Sequence, residues 1–93
     1  MRTIKYTTQF KRDYKREKSG RHSRYLDREL AETVDLLAAD ASLPHRYFDH
    51  PLSGEWRDFC DCHIRPDLVL IYRKRDNTTL ELVRLGSHSK LGL

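Results

Sequence analysis

The stretch Leu68-Val69-Leu70-Ile71-Tyr72 constrains the fold more than any other part of this sequence. It is the longest purely apolar run of the 93 residues, and the Pro66-Asp67 pair before it marks a turn. An unbroken apolar run offers no polar face to water. It therefore predicts a central strand that is covered on much of both faces.

Further strands are predicted on either side of this run. Residues 56–64 alternate well enough for a strand, in which Asp61 and His63 project from the same face. After a hairpin turn, residues 79–85 form the last predicted strand, and residues 86–90 read as a short polar tail beyond the core. The second half of the chain thus predicts three consecutive strands.

The first half predicts one strand and two helices. Residues 2–6 alternate as a strand, and a helix follows to about Lys18. From Tyr25 to Asp40 the apolar residues recur at spacings of four, four and three, which is typical of an amphipathic helix. Residues 41–55 carry two prolines and a glycine and predict a loop.

The order strand, helix, helix, strand, strand, strand is typical of the α+β class. We expect one domain over residues 1–93: an antiparallel sheet of about four strands, an N-terminal αα-hairpin packed on it, and a short C-terminal tail or helix. A chain of this length buries a single modest core.

Composition excludes several classes of protein. Charged residues make up 34% and hydrophobic residues 38%, so the chain is polar but not of a disordered type. No apolar run approaches the roughly 20 residues that cross a bilayer. The only two cysteines are one residue apart, so no disulfide framework is expected. These features predict a soluble cytoplasmic protein that does not act at a membrane.

The net charge of +4 is unevenly distributed. Residues 1–30 hold ten basic and four acidic side chains, whereas residues 31–67 hold three and eight. A dense positive field favours phosphate backbones, although solvated helix faces can also be basic. The candidate RNA-binding residues are on the first helix: Lys11, Arg12, Lys15, Arg16 and Lys18.

Five histidines in 93 residues suggest acid-base chemistry. Two positioned imidazoles can take a proton from one oxygen and return it to another, as cleavage of RNA through its own 2′-hydroxyl requires. His50 and His63 are candidates, whereas His22 and His45 are expected to be solvent-exposed. His88 is either part of such a site or a residue of a frayed tail.

Other residues could support this chemistry. Charge on the phosphate oxygens needs cations, for which Arg65, Arg84 and Lys90 are available. Asp61 or Asp67 could accept a hydrogen bond from an imidazole and fix its tautomer.

Trp56 and Tyr72 are expected in the core rather than at a site. The spacing of Cys60, Cys62 and His63 argues against a zinc site, because His63 points away from both thiols in a strand. Neither cysteine is in a setting that would activate a nucleophile. We therefore expect no metal and no cofactor.

Three segments together resemble the YafQ branch of the RelE/ParE toxin superfamily. These are Asp49-His50-Pro51-Leu52-Ser53-Gly54-Glu55-Trp56-Arg57, then Cys60-Asp61-Cys62-His63-Ile64-Arg65-Pro66-Asp67 leading into the apolar run, and Arg84-Leu85-Gly86-Ser87-His88-Ser89-Lys90-Leu91. The resemblance extends over essentially the whole chain.

The resemblance implies a RelE-like fold and a bacterial type II toxin, a ribosome-dependent endoribonuclease that cuts messenger RNA in the A site. It implies a cognate antitoxin, and operator DNA as a partner only of the toxin-antitoxin complex. The family's catalytic positions match His50, His63, Asp67 and His88, with Asp61 close by. One departure is that members commonly place an aromatic three or four residues after the last His, where this chain has Leu91, Gly92 and Leu93.

Two other classes of function compete with this interpretation. A ParE-like toxin or inactive binding module would share the fold and target a protein such as gyrase, but it would not need converging imidazoles. A sequence-specific DNA-binding domain would need a recognition helix, and the long helix turns acidic midway.

Overall fold

The computed structural model describes residues 1–93, which form three helices and five strands. In chain order the elements are β1 (Thr3–Tyr6), α1 (Thr8–Lys18), α2 (Leu26–Ala38), β2 (His50–Pro51), β3 (Cys60–Arg65), β4 (Leu68–Lys74), β5 (Thr79–Gly86) and α3 (His88–Leu91). The α+β class and the predicted order of the main elements are confirmed. No helix is both long and apolar enough to cross a membrane.

The five strands form one mixed sheet in the order β1-β5-β4-β3-β2. β4 contains the apolar run, and five consecutive residues from Leu68 to Tyr72 are buried. β3, β4 and β5 make the predicted antiparallel meander. The expectation of a wholly antiparallel sheet was wrong at one edge, because β1 pairs in parallel with β5. The chain from α1 to β4 lies between β1 and β5 in the sequence, and a connection of this length allows two neighbouring strands to run in the same direction.

The larger part of the core lies between the sheet and the helical hairpin. Phe10 of α1 and Leu37 of α2 belong to a cluster of 14 buried residues that includes Leu70 of the central strand. Thr7 is the N-cap of α1, and its hydroxyl accepts a hydrogen bond from the Phe10 backbone N–H. The helices therefore cover one face of the sheet.

A smaller apolar cluster covers the opposite face. It consists of Val69 and Ile71 of β4 and Leu91 of α3, which is only 5% exposed. Of the two forms expected for the C-terminal end, a short tail or a helix, the structure has the helix, and this end packs on the core instead of lying beyond it. Gly86 ends β5, Ser87 caps α3 through its side chain, and burial of Leu91 fixes the helical turn against the sheet.

Side chains of α1 take the place of a strand at the free end of β5. Asp13 accepts a hydrogen bond from the Leu85 backbone N–H (3.0 Å), and Arg16 donates one to the Leu85 carbonyl (2.8 Å). Beyond β1 these backbone groups would otherwise lack partners. A side chain at Gly86 would place its Cβ 2.7 Å from the Arg16 guanidinium, so the glycine makes room for this contact.

The segment before β3 also differs from the expectation. Residues 56–64 were predicted to form one strand, but β3 begins only at Cys60, and Gly54–Trp56 form a turn of 3-10 helix. Gly54 has a φ of 67°, a left-handed conformation that glycine adopts at no steric cost. This turn redirects the chain between β2 and β3.

Candidate active site

Three imidazoles line one cavity on the face of the sheet that the helical hairpin leaves uncovered. The cavity has a volume of about 450 Å³. His50, His63 and His88 line it together with Asp61. The imidazoles come from the short strand β2, from β3 and from the C-terminal helix α3, and they converge as hypothesised from the sequence for an acid-base site.

The register of the sheet brings two of these residues together. β2 consists of only two residues, and His50 is the Cα partner of Asp61 on β3. Cross-strand partners in this position carry neighbouring side chains. The His50 Nδ1 and a carboxylate oxygen of Asp61 are 3.2 Å apart. His63 is two residues further along β3 and therefore projects from the same face as Asp61.

His88 reaches the same place from the end of the chain. His63 pairs with Val69 on β4, and Val69 pairs with Gly86 on β5. The three residues form one row across the sheet, and α3 begins directly after Gly86, at the end of this row. The ring centres of His63 and His88 are 4.9 Å apart, with the rings nearly perpendicular at 70°. His88 is thus a residue of the site and not of a frayed tail.

A hydrogen bond fixes the tautomer of His50. Its Nδ1 lies 2.6 Å from the Phe48 carbonyl oxygen. A carbonyl can only accept, so Nδ1 must carry the proton and donate it. In the neutral ring Nε2 is then the nitrogen with a free lone pair, and it is the atom through which His50 can exchange a proton.

Burial changes the acidity of two groups in the site. Asp61 is only 2% exposed, and burial raises its pKa above the ordinary value, although the three neighbouring histidines partly counteract this effect. One of its carboxylate oxygens is buried without a hydrogen bond. Burial also lowers the pKa of His63, with the Asp61 carboxylate acting in the opposite direction. The site therefore keeps His63 mainly neutral at pH 7.

Two buried tyrosines hold the loop that presents His50. Tyr47 is 3% exposed and belongs to the main core. Tyr72 of β4, which was correctly expected in the core, donates a hydrogen bond of 2.5 Å to the Asp49 carboxylate. Burial, followed by this hydrogen bond, raises the pKa of Tyr72 far above its ordinary value. Asp49 lies between Phe48 and His50, so the bond anchors both neighbours.

Phe48 belongs to this site, although the sequence analysis did not single it out. The residue is 69% exposed and lines the cavity. The centre of its ring lies 5.7 Å from that of His63 and 6.0 Å from that of His50. The only signal in the sequence was an aromatic residue two positions before His50 in a polar loop.

A family model described as "Bacterial toxin of type II toxin-antitoxin system, YafQ" matches residues 2–92. The chain belongs to the YafQ toxin family. It is 36% identical over 94 residues to "mRNA interferase toxin YafQ" of Escherichia coli K12, a match that covers 97% of this chain and 95% of that protein.

Solved structures agree with this membership in the YafQ toxin family. A copper-bound mutant toxin from Helicobacter pylori has a TM-score of 0.85 at 33% identity, covering 98% of this chain and 99% of that one. The E. coli DinJ-YafQ toxin-antitoxin complex has a TM-score of 0.80 at 33% identity, covering 97% and 96%. The RelE-like fold expected from the resemblance is therefore shown.

Asp67, which the resemblance to this family placed among the catalytic residues, does not line the cavity. It lies at the β3–β4 turn, where its carboxylate pairs with Arg21 and approaches the His22 Nε2 at 3.6 Å. His22 was expected to be exposed, and this was wrong, since it is only 5% exposed and its Nδ1 is 2.8 Å from the Tyr25 hydroxyl. His45 is exposed as expected.

The three candidate phosphate-binding cations, unlike the imidazoles, do not converge on the cavity. Arg65 makes two hydrogen bonds to Glu29 of α2, and Arg84 pairs with Asp13 of α1 at 2.7 Å. Lys90 lies on α3 with His88, and its side chain is 52% exposed, 3.8 Å from a carboxylate oxygen of Glu17. No Arg or Lys lines the cavity itself.

Three basic side chains of α1 lie on the opposite face of the sheet from the imidazoles. Lys11, Arg12 and Lys15 are exposed and border a large groove between α1 and α2. Lys18 forms an ion pair with Asp27 at 2.7 Å. Arg16 is bound to the end of β5, as described above.

The cysteines take no part in the cavity. Cys60 and Cys62 are free and belong to the face that packs against the helices. Burial raises the pKa of both thiols, which disfavours the nucleophilic thiolate. No group of three His, Cys, Asp or Glu side chains has the arrangement of a metal site.

Proposed function

We propose that this toxin is an mRNA interferase, an endoribonuclease that cuts messenger RNA in the ribosomal A site and so inhibits translation in the cytoplasm. The observation that carries the proposal is the convergence of His50, His63 and His88 on one open cavity. The relative named mRNA interferase toxin, 36% identical over nearly the whole chain, supports the choice of substrate.

The cleavage needs only two proton transfers. The 2′-oxygen of the RNA attacks the adjacent phosphorus while its proton passes to one imidazole. The bond from phosphorus to the 5′-oxygen breaks, and a second imidazole supplies the proton that this oxygen needs. The products are a 2′,3′-cyclic phosphate and a 5′-hydroxyl end, so atoms and charges balance without an oxidant or a protein nucleophile.

His50 and His88 form the proposed acid-base pair, with their order left open. His50 exchanges its proton through Nε2, because the Phe48 carbonyl holds Nδ1–H. His63 lies between Phe48 and His88 and keeps the rings in position beside the phosphate. Asp61 stabilises the imidazolium form of His50 through the 3.2 Å contact.

Asp67 and the cations have more distant roles in this proposal. Asp67 acts as a positioning residue, because it ties the β3–β4 turn, close in sequence to His63, to Arg21. Lys90 is the cation best placed to compensate phosphate charge, since it is half-exposed on the same helix as His88. Arg65 and Arg84 stabilise the fold through their carboxylate partners.

The ribosome supplies the second contact surface. Lys11, Arg12 and Lys15 lie across the sheet from the cavity, so they cannot easily touch the strand that is being cut. We assign them, with weaker contributions from Arg16 and Lys18, to ribosomal RNA, whose phosphates attract such a surface.

A cognate antitoxin is the proposed protein partner. The solved DinJ-YafQ complex shows that a relative assembles with one. We further propose that operator DNA is bound only by the toxin-antitoxin complex, because the toxin presents no recognition helix of its own.

Primer extension on translated messenger tests the proposal. The wild-type protein should produce cuts within codons, whereas His88→Ala and His50→Ala should each reduce the rate by roughly 10²- to 10⁴-fold. His45→Ala is the matched control, because His45 is an exposed histidine outside the cavity. Wild-type rates in both site variants would contradict the proposal.

Metal removal provides an independent test. The mechanism above uses imidazoles alone, so toxin that has been stripped with EDTA and then separated from the chelator should cut messenger on ribosomes as fast as untreated toxin. The ribosomes stay in magnesium buffer throughout. Loss of activity after stripping, with recovery when one transition metal is returned to the toxin, would show that the proposed metal independence is wrong.

A further inference from the structure

Phe48 combines two features that are unfavourable for stability. Its side chain is 69% exposed, which leaves an aromatic ring in water. Its backbone is left-handed, with φ 51° and ψ 41°, a region that residues with a Cβ rarely adopt. Strained conformations of this kind cluster at functional sites, where the surrounding structure holds them in place.

The ring is oriented as part of the cavity wall. It lies nearly parallel to the His63 ring, at an interplanar angle of 28°, and nearly perpendicular to the His50 ring, at 78°. One side of the ring is therefore turned toward His63. The high exposed fraction means that much of the remaining aromatic surface is open to solvent beside the imidazoles.

We propose that Phe48 is a stacking site for one unpaired RNA base, that of a nucleotide adjacent to the scissile phosphate. The inference rests on the proposed function and names how the same site holds its substrate. Aromatic side chains hold single-stranded nucleic acids by stacking, and every base has a face that can take part. With the ring centre about 6 Å from both His50 and His63, a stacked base places its own phosphate close to them.

The other walls of the cavity do not offer an equivalent surface. Gly92 and Leu93 line its C-terminal side and have no aromatic ring. Trp56 lines it as well, but it is half-buried and packs edge-on against Phe59. Phe48 is thus the most exposed aromatic ring in the lining.

The position of Phe48 favours RNA over a protein partner as the occupant. Its backbone carbonyl accepts the hydrogen bond from His50, so the residue that orients one imidazole also presents the ring. In this position the ring borders the same cavity as the imidazoles, whereas a protein anchor would serve equally well away from the catalytic groups.

Three substitutions distinguish the contribution of the Phe48 ring from that of its backbone. Phe48→Asn removes the ring but tolerates the left-handed backbone, so the carbonyl can still hold His50. Phe48→Leu keeps an apolar side chain without an aromatic face, and Phe48→Tyr keeps the face. On ribosomes programmed with a short messenger, we expect the Asn and Leu variants to show an apparent KM that is roughly 5- to 100-fold higher. The Tyr variant should behave as the wild type does.

A messenger that lacks one base provides the decisive control. When the nucleotide beside the cleavage site is abasic, the wild-type protein and Phe48→Asn should cut this messenger at equal rates, because the base that would stack on Phe48 is absent. His45→Ala removes an exposed ring from the same loop, outside the cavity, and should have no effect on cleavage.

The outcomes distinguish this inference from the proposed function. An inactive wild-type protein would contradict the proposed function itself. An active wild type with an unchanged KM in Phe48→Asn would overturn only the stacking site. Unchanged cleavage together with weakened antitoxin binding would also overturn it and would identify Phe48 as a protein anchor.

Discussion

The rings of His63 and His88 meet edge to face with their centres 4.9 Å apart, although 25 positions separate them in the sequence. Two positive charges at this separation would repel each other. Burial lowers the pKa of His63, so the pair can carry one proton without strong repulsion. The lowered pKa of His63 therefore favours its neutral form beside His88.

The lowered pKa of His63 can be measured directly. We expect its ring to titrate below the ordinary value of 6.5 in an NMR pH titration. Because the folded state binds this proton less well than the unfolded state, His63 costs stability as the pH falls below 6.5. His63→Asn should therefore be less sensitive to acid between pH 7 and 5. A His63 resonance that titrates above 6.5 would contradict this.

Asp61→Asn should stabilise the protein while impairing cleavage. The pKa of Asp61 is raised, so ionisation of its carboxyl group costs folding stability as the pH rises above the ordinary value and through the raised pKa. We expect Asn to increase the free energy of unfolding at pH 7, with the gain vanishing below pH 4. Urea denaturation at several pH values measures this.

Cleavage by the same variant should fall, because the imidazolium of His50 loses its negative neighbour. The loss should stay well below the roughly 10⁴-fold effect of removing a sole tautomer-fixing carboxylate, since the Phe48 carbonyl still holds Nδ1–H. A loss of stability at pH 7 would argue against a strained, buried charge at Asp61.

Tyr72→Phe tests the anchoring of the His50 loop. Without the hydroxyl, Asp49 loses its 2.5 Å hydrogen bond but remains exposed to water. We expect a destabilisation of about 1 kcal/mol and a reduced cleavage rate, because Phe48 and His50 flank Asp49. Tyr47→Phe is the matched control, as Tyr47 is equally buried but its hydroxyl has no hydrogen bond to Asp49. Equal effects of the two substitutions would count against the anchor.

Asp13→Ala should be the most destabilising of these changes. Asp13 is 1% exposed; burial alone would raise its pKa, but hydrogen bonds from Arg84, the Leu85 N–H and Arg16 lower it overall. Removing it leaves these donors unpaired, at a cost of about 3 kcal/mol.

The wild-type advantage of Asp13 is present above pH 4 and should be lost as the pH falls through the lowered pKa. Denaturation of wild type, Asp13→Ala and the exposed control Glu32→Ala at pH 7 and pH 3 measures it. A stability difference between wild type and Asp13→Ala that is larger at pH 3 than at pH 7 would contradict a lowered pKa for Asp13.

Salt dependence tests the basic surface of α1. If Lys11, Arg12 and Lys15 bind ribosomal RNA, affinity should fall as salt rises. Changing all three to Gln should make the negative slope of log affinity against log salt less steep by about 2 to 3. Sedimentation with ribosomes at several salt concentrations gives this slope. Arg75→Gln, an exposed cation at the β4–β5 turn, is the control. A triple variant with the wild-type slope would assign these residues to solvent or to another partner.

The sequence by itself determined the features that depend on near neighbours along the chain. The apolar run from Leu68 to Tyr72 specified the central strand, because five consecutive apolar residues require cover on both faces. The two-residue period of a strand placed Asp61 and His63 on one face. Recognition of the toxin family likewise rested on short local motifs around His50, His63 and His88.

The tertiary structure alone decided which distant residues meet. Opposite Ile71 and Tyr72, β5 carries one extra residue, so Leu82 and Leu85 both face the helices although strict alternation would separate them. Such a bulge depends on pairing between strands and leaves no periodic signal in either one.

The same reason explains the residues whose surroundings were not foreseen. Asp67 meets Arg21 and His22, and Phe48 stands exposed beside His63, because loops and turns far apart in sequence come together only after the sheet has formed. Local spacing fixes the direction of a side chain within its own element, whereas its partners depend on how the elements are packed.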